Sequence, residues 1–354
     1  MDLIDQPERR QARPAVMADV ARLAGVSHQT VSRVLNESER VSSETRERVL
    51  AAMTKLNYRP NPTARALASG RSKTVGVITF DTPLYGPASA LFGIERAAHE
   101  AGFSVSVASL LSLDMPSLIS TSDNLRRQNV EAILVIAPQR DVAHALTQLP
   151  QDLPVVAVEA GPAAGVPVVA VHQFEGAAQA TRHLLSLGHK TVWHIAGPGD
   201  WLEAVDRVDG WRQSLESVGA QVPKLLVGDW SARSGYELSA DLVRDPEVTA
   251  IFAANDAMAL GVLRRVHEAG RDVPGSISVV GFDDVPEAAY YTPPLTTIRQ
   301  DFIELGRSSF GLVLDEIESG ERTALHVTIA PQLIVRASTA PPSRLYRPST
   351  SSEH

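Results

Sequence analysis

Two sets of residues in this chain have types and spacings that could do chemistry, and in both the chemistry is recognition rather than bond-making. The first is Ser27-His28-Gln29-Thr30-Val31-Ser32-Arg33-Val34-Leu35-Asn36. Ser27 is a good N-cap, because its hydroxyl can accept from an otherwise unpaired amide of the first helical turn. Val31, Val34 and Leu35 then recur at helical spacing and form an apolar back. Gln29, Ser32 and Arg33 lie on the opposite side, with His28 and Thr30 near the start. Hydrogen-bonding side chains in the first turns over an apolar back suit a helix laid in the DNA major groove. Arg33 has the fork that pairs with guanine, and Gln29 the amide that pairs with adenine. The second set is dispersed. Glu159, Asn255 and Asp283 each end an apolar run, Trp230 follows another, and Arg207 precedes Gly210-Trp211. Ligands of open α/β sheets bind beyond the carboxyl ends of strands. Carboxylates, an amide and a guanidinium suit the paired hydroxyls of a sugar, and an indole face suits its C–H side. Strand-end Asp and Asn also have a purely structural use, as caps of the next helix.

The first set needs a partner helix, and Asp19-Val20-Ala21-Arg22-Leu23-Ala24 supplies it. Gly25 lets the backbone turn, and Val26 fills the angle between the helices. Helix, short turn with Gly, helix is the helix-turn-helix pattern; on this motif alone, a helical hairpin with a solvated polar face remains the alternative. Val41-Ser42-Ser43 opens a third helix with Thr45, Val49, Ala52, Met53 and Leu56 on one face and Arg46, Arg48 and Lys55 on the other. Beyond Tyr58, Pro60 breaks the chain, Asn61 can cap, and Pro62 suits a first helical position. Residues 63–69 then predict a helix of about two turns, marginal in water unless something packs on it; the other reading is a plain linker.

From Lys73 onward the pattern alternates between strand and helix. Strands are predicted at 75–80, 105–109, 132–136, 154–159, 168–171, 192–196, 250–254 and 277–281. Helices are predicted at 89–101, 118–128, 142–149, 176–187, 204–218, 235–242, 257–269 and 302–318. Continuous apolar strands separated by helices indicate parallel sheets covered on both faces. The stretch is too long for one small sheet, which predicts two α/β subdomains.

Composition excludes several functions. There is no cysteine, so disulfides and thiolate metal sites are ruled out. No apolar run is long enough to span a membrane, and the first ten residues lack the apolar segment of a signal peptide, so a cytoplasmic protein is expected. The net charge of −8 is unfavourable for a DNA binder until it is divided. Residues 1–73 hold 13 Lys and Arg against 8 Asp and Glu, whereas the remainder holds 20 against 33. A basic head on an acidic body confines phosphate attraction to the head. For an enzyme, no G-x-G-x-x-G after a strand, no phosphate-loop pattern and no H-E-x-x-H is present. His189 and His194 read as loop and strand histidines rather than metal ligands; no cofactor and no metal is expected.

The motifs together resemble the lac repressor (LacI/GalR) family of bacterial transcriptional regulators. The head resemblance lies in Asp19-Val20-Ala21, Gly25-Val26-Ser27, residues 30–36, Val41-Ser42, Thr45-Arg46 and Leu56-Asn57-Tyr58 with Pro60-Asn61. In the body it lies in Leu187-Gly188-His189, Ala196-Gly197-Pro198, Gly228-Asp229-Trp230-Ser231, Ala254-Asn255-Asp256, residues 277–284 and Pro293-Pro294-Leu295-Thr296-Thr297-Ile298 with Gln300-Asp301-Phe302. The resemblance implies an α/β protein with a three-helix helix-turn-helix head, a short hinge helix and a two-subdomain body like a periplasmic binding protein. It divides the chain into an arm expected to be disordered (1–15), a DNA-binding domain (16–60), a hinge helix and linker (61–72), an effector-binding and dimerisation domain (73–338) and a disordered tail (339–354). Within the body, one subdomain takes 73–171 plus 302–330 and the other 172–301 plus 331–338.

By the same resemblance, His28, Gln29 and Arg33 reach base edges of a near-palindromic operator in double-stranded DNA. Ser27, Thr30, Ser32, Asn36, Ser42 and Thr45 lie near phosphates, and Tyr58 completes the head's set. Leu67 is the wedge between base steps, with Asn61 and Ala64 beside it. Arg207, Trp230, Asn255 and Asp283 face a sugar, with Gln300 and Phe302 near the crossover and Leu84, Gly86 and Pro87 as apolar lining. Glu159 stands where an aspartate is expected, Ile136 where an asparagine is, Val171 where a phenylalanine is, and His28 where a tyrosine is. Phe174 is expected to contribute to the pocket. The effector expected is a mono- or disaccharide that releases DNA; a purine or sugar-phosphate corepressor and a solute-binding protein are the alternatives. A homodimer is expected, because residues 340–354 contain one leucine, Leu345, and cannot form a heptad seam.

Overall fold

The computed structural model describes residues 15–35, 40–59, 70–80, 84–110, 114–139, 142–146, 148–149, 152–161 and 165–343. The sites expected at Asn36, Asn61, Ala64 and Leu67, the hinge helix, residues 1–14 and residues 344–354 lie outside them. The chain forms two compact units, Met1–Ser72 and Lys73–His354.

The first unit contains α1 (Met17–Ala24), α2 (His28–Leu35) and α3 (Ser43–Lys55). Asp19 accepts from the Val16 N–H at 3.1 Å and closes the start of α1. Gly25 ends α1 at φ +64°, a conformation that costs glycine nothing. Each helix sends one fully buried valine to the centre: Val20, Val31 and Val49. Val34 is buried as its spacing requires, and Leu35, Met53 and Leu56 pack partly buried around the core. Leu23 does not join it; it is 45% exposed.

The second unit holds two parallel sheets. The first orders its strands β11-β5-β4-β3-β1-β2, with β1 Thr74–Phe80, β2 Ser104–Leu110, β3 Ile133–Ile136, β4 Val155–Val158, β5 Val168–Val171 and β11 His326–Ile329. The second is β7-β6-β8-β9, with β6 Trp193–Ala196, β7 Leu226–Val227, β8 Ala250–Ala253 and β9 Ser278–Val280. A strand's side chains alternate between faces, and both sheets use this to serve two cores. Leu134 and Ile136 enter one cluster while Ile133 and Val135 enter another. Ile251 and Ala253 likewise separate from Ala250 and Phe252.

The helices between strands are α4 (Tyr85–Glu100), α5 (Met115–Arg127), α6 (Val142–Leu146), α7 (Gln173–Ser186), α8 (Leu202–Glu216), α9 (Ala232–Leu238), α10 (Asp256–Glu268) and α11 (Phe302–Ser319). Most begin earlier than hydrophobic periodicity predicts. Their first turns are fixed by caps instead: Asp114 accepts from Ser117 N at 2.9 Å, and Ser231 from Ser234 N at 3.1 Å. Two further strands, β10 (Thr297–Arg299) and β12 (Gln332–Ile334), pair antiparallel. They are too short to show a period. β11 escapes the sequence reading because its exposure alternates at the sheet edge.

The chain passes between the two lobes at 171–173, 299–302 and 329–332. Gln173 and Gln300 therefore stand at the crossovers. The tail expected from residue 339 is a correction: residues 339–343 are fastened to the second lobe. Ala340 N donates to Ser278 Oγ at 3.0 Å, Thr339 Oγ1 lies 3.0 Å from His183 Nε2, and Ser343 Oγ donates to Gly275 O at 2.5 Å. Proline and serine content marked a loop here, but a loop whose polar atoms are met.

Helices α4 and α11 touch through glycines. A Cβ on Gly93 would lie 2.0 Å from Phe302 O, and one on Gly306 2.0 Å from Gly93 C. Gly306→Ala should cost about 1–3 kcal/mol by overpacking. Gly311→Ala, on the same helix with nothing within 4 Å of the new Cβ, should be neutral or stabilising, by at most about 1 kcal/mol. Urea titrations of both decide it; equal midpoints would mean the helices do not depend on close approach.

Candidate functional site

On the head, His28, Gln29 and Arg33 are exposed, and Thr30 and Ser32 are half-buried. Ser27 Oγ accepts from Thr30 N at 3.1 Å and lies 2.9 Å from Thr30 Oγ1. Ser42 repeats the arrangement at α3, accepting from Thr45 N at 3.4 Å and donating to Thr45 Oγ1 at 2.9 Å. Both caps leave helix N-termini with outward-facing amides, which favour an anion. Tyr58 is half-buried, with its ring against the head core.

In the body, a cleft is lined by Leu84, Tyr85, Gly86, Pro87, Trp201, Glu203, Arg207, Trp230, Asn255, Asp283 and Gln300. Both lobes contribute. Arg207, only 2% exposed, is its organiser. Arg207 Nε donates to Gln173 Oε1 at 2.9 Å and Nη1 to Ala254 O at 2.5 Å. Its guanidinium lies 3.8 Å from the Phe282 ring centroid and 4.0 Å from Asp283 Oδ1. Gln300 Nε2 donates to the same Asp283 oxygen at 2.7 Å. Gln173 Nε2 donates to Gln300 Oε1 at 2.9 Å and to Glu159 Oε2 at 3.4 Å. A continuous polar chain thus runs from β4 in one lobe to Asp283 in the other.

Eight residues named from sequence converge on the cleft: Leu84, Gly86, Pro87, Arg207, Trp230, Asn255, Asp283 and Gln300. Asn255 is both lining and cap: its Oδ1 accepts from Met258 N at 2.8 Å and its Nδ2 donates to Trp230 O at 3.0 Å. Glu159 and Phe174 lie instead in a neighbouring cavity, with His172, Gln173, Glu203 and Asp206. Glu159 is turned there because its Oε1 accepts from Val171 N at 3.2 Å and Gln173 holds the other oxygen. Phe302 sits behind the lining, edge-on to Tyr85 at 5.9 Å between centroids. Sequence reasoning missed Tyr85, Trp201, Glu203 and Gln173. Trp201 and Glu203 start α8 just after the loop that follows β6, so the strand-end rule that found Asp283 also points to them. His189 and His194 are structural: His189 bonds Thr249, Ser278 and Ala340, and His194 bonds Phe252 O and stacks on its ring.

The sequence matches the model of the lacI family of bacterial regulatory proteins over residues 16–61 and that of the periplasmic binding protein-like domain over 181–339. It is 34% identical over 333 residues to the lactose operon repressor of Escherichia coli K12, covering 94% of this chain and 92% of that protein. The chain belongs to the LacI family. Among solved structures, the lac repressor dimer bound to operator and the anti-inducer ONPF superposes with a TM-score of 0.81 at 34% identity, covering 93% of this chain and all of that one. A complex of the transcriptional regulator CelR with cellobiose gives 0.67 at 32% identity, covering 92% and 99%. Among the described residues, no helix is long and apolar enough to cross a membrane, and no cluster of His, Cys, Asp and Glu could hold a metal.

The cleft and the cavity beside it are rich in acids. Burial raises Glu159 from 4.5 to about 8, with the Glu203 charge adding to it and the bonds from Val171 and Gln173 opposing. Burial raises Glu203 to about 7, with Arg207 opposing. Asp283 rises from 3.8 to about 6, burial again outweighing Arg207 and Gln300. Raised acids keep protons in the native state that the unfolded chain has already lost. They favour folding below about pH 4, and stability declines as pH climbs toward 8. Burial lowers His183, His189 and His194, which opposes this trend below about pH 6.5; above it melting temperature should fall toward pH 8, and Glu159→Gln should flatten that slope. A slope unchanged in Glu159→Gln would place its titration elsewhere.

Proposed function

We propose that the protein is a cytoplasmic transcriptional repressor that binds a near-palindromic operator as a homodimer and is released when a sugar occupies the cleft. The observation that carries this reading is the pairing, on one chain, of an exposed polar face on α2 with a cleft on which Arg207 from α8, Asp283 and Asn255 from strand ends and Gln300 from a crossover converge. In the major groove, Arg33 takes guanine and Gln29 takes adenine. Ser27, Thr30, Ser32, Ser42 and Thr45 hold the register through phosphates, which carry position rather than sequence. The acidic body keeps DNA on the head.

In the cleft, Asp283 accepts from sugar hydroxyls, Arg207 donates to them, and Trp201 and Trp230 supply apolar surface. A ligand that bridges both lobes draws them together by hinge closure. The chain enters the body at Lys73, directly before β1, so lobe rotation moves the points from which two heads are presented. The sugar must favour one lobe arrangement over the other; a ligand that binds both equally switches nothing. Operator DNA then weakens sugar binding by the factor with which sugar weakens operator binding.

Arg33→Ala should cost about 1–3 kcal/mol on the operator and less on random DNA. Equal losses in a gel-shift or anisotropy assay would reduce Arg33 to a phosphate contact. Arg207→Ala and Asp283→Asn should abolish the response to sugar while operator affinity stays near that of the parent. Calorimetric titration of mono- and disaccharides, with and without operator, checks both halves. A purine that tightened operator binding would make the protein a corepressor-dependent regulator instead.

A further inference from the structure

The two lobes of the body touch beside the cleft, at the start of α8. Leu202 N donates to Pro138 O at 2.8 Å, and Gln139 pairs with Trp201 in an isolated antiparallel bridge. Gly161 lies against the Leu202 side chain, where an added Cβ would meet Leu202 Cδ1 at 3.3 Å. Pro138, Gln139 and Gly161 follow β3 and β4 of the first lobe, whereas Trp201 and Leu202 belong to the second. The contact is a docked edge between lobes, separate from the crossovers.

A carboxyl group from each lobe faces the cavity at this edge. Glu159, from the end of β4, is buried, with Oε1 accepting from Val171 N and Oε2 from Gln173 Nε2. Glu203, in the first turn of α8, lines both this cavity and the cleft. Among the described residues, no hydrogen bond or salt bridge reaches its carboxyl. Arg207, the cation that acts on both acids, already donates to Gln173 and Ala254. The other titratable groups around the pair are Asp206, His172 and His326 on the cavity side, all exposed, and Tyr85 and Asp283 on the cleft side. Two carboxyls from opposite lobes thus share one committed cation. Like charges in one enclosed space disfavour double ionisation, so the two titrate as a pair.

We propose that Glu159 and Glu203 form a proton-controlled latch between the lobes: with a proton held by the pair the lobes stay docked at this edge, and when that proton leaves to solvent the repulsion of two carboxylates opens it. The raised titration of both groups, to about 8 and about 7, accords with this and sets the range in which the latch works. The proposal rests on the reading that the effector acts through lobe movement. An effector that draws the lobes together then binds more weakly as pH rises, because closure takes up the proton.

The chain has no cysteine. Gln213→Cys on α8 and Glu318→Cys on α11, both at exposed positions, therefore carry a donor and an acceptor dye, one on each lobe. Labelled chains diluted into unlabelled parent report a single protomer. Without ligand, energy transfer should change as pH rises from about 6 to about 9, with a midpoint between about 7 and 8. Glu203→Gln keeps the shape and removes the charge, so transfer should stay at its acidic value throughout. Glu159→Gln should do the same, and decides the matter if the first variant folds poorly. His172→Asn and His326→Gln should keep the transition; its loss in either would assign the titration to that imidazole and overturn the latch. Constant transfer in the parent, or a transition that survives both glutamine variants, would also overturn it. Titration with lactose and with cellobiose tests the cleft reading separately. A sugar that changes transfer where pH alone changes nothing supports the effector reading and sinks the latch. A pH transition without any sugar response supports the latch and counts against these sugars as effectors.

Discussion

Everything in the cleft depends on one buried cation. Arg207 sits among Asp283, Glu203 and Glu159, and its donors are met by a crossover glutamine and a strand-end carbonyl. Those acids are raised by burial and would be raised further without it. A buried pair of this kind contributes little to net stability, since desolvation consumes most of the attraction. What it supplies is geometry. The guanidinium lies 3.8 Å from the Phe282 ring centroid and is bonded to Gln173 and Ala254, so the direction of its remaining donors is set before a ligand arrives. Gln173 and Gln300 carry that order across the lobe boundary to Glu159 and Asp283. A change in lobe angle must therefore be paid for in hydrogen bonds.

Strain is concentrated in the same place. Glu159, Trp230, Asp283 and Asp284 all have positive φ, at 54°, 71°, 111° and 55°, in residues that carry a Cβ. Backbone in that region persists only where surrounding contacts impose it. At Asp284 the contacts are salt bridges to Arg299 and Arg336; at Trp230 they are Asn255 and Gly197. Each strained residue follows a strand and turns its side chain where a regular strand end could not. The sheet supplies rigidity and the strained turn supplies aim.

The sequence made this architecture legible where the physics is local or periodic. The unbroken apolar runs of β3 and β8, buried on both faces, the Ser27 and Ser42 caps and the glycine at 25 all follow from neighbours in the chain. It was less legible where long-range contacts decide. Nothing near Glu159 in sequence says that Val171 N and Gln173 will turn it out of the main cleft. Nothing near Thr339 says that Thr296 and His183 wait for it. The strand-end rule reaches Asp283 and Asn255, polar residues at the very ends of strands, but not Trp201 and Glu203, which begin the next helix. Gln173 was invisible for a different reason: it holds the network together through side chains from three distant segments, and an amide at a helix start looks ordinary.

The double use of Asn255 shows why function and fold are hard to separate here. One of its atoms caps α10 and another holds Trp230, yet it also lines the cleft. A ligand that drew the Asn255 amide toward itself would loosen the first turn of α10 and the seat of the indole together. Binding and lobe packing are then coupled through a single side chain, with no long path needed between them. The same holds at Gln300, which bonds Asp283 and begins the passage into α11. Residues that touch the cleft are also those on which the crossovers hang. For that reason a small molecule can bias the lobe angle: it competes for the very hydrogen bonds that fix it, and its leverage equals the difference in those bonds between the two arrangements.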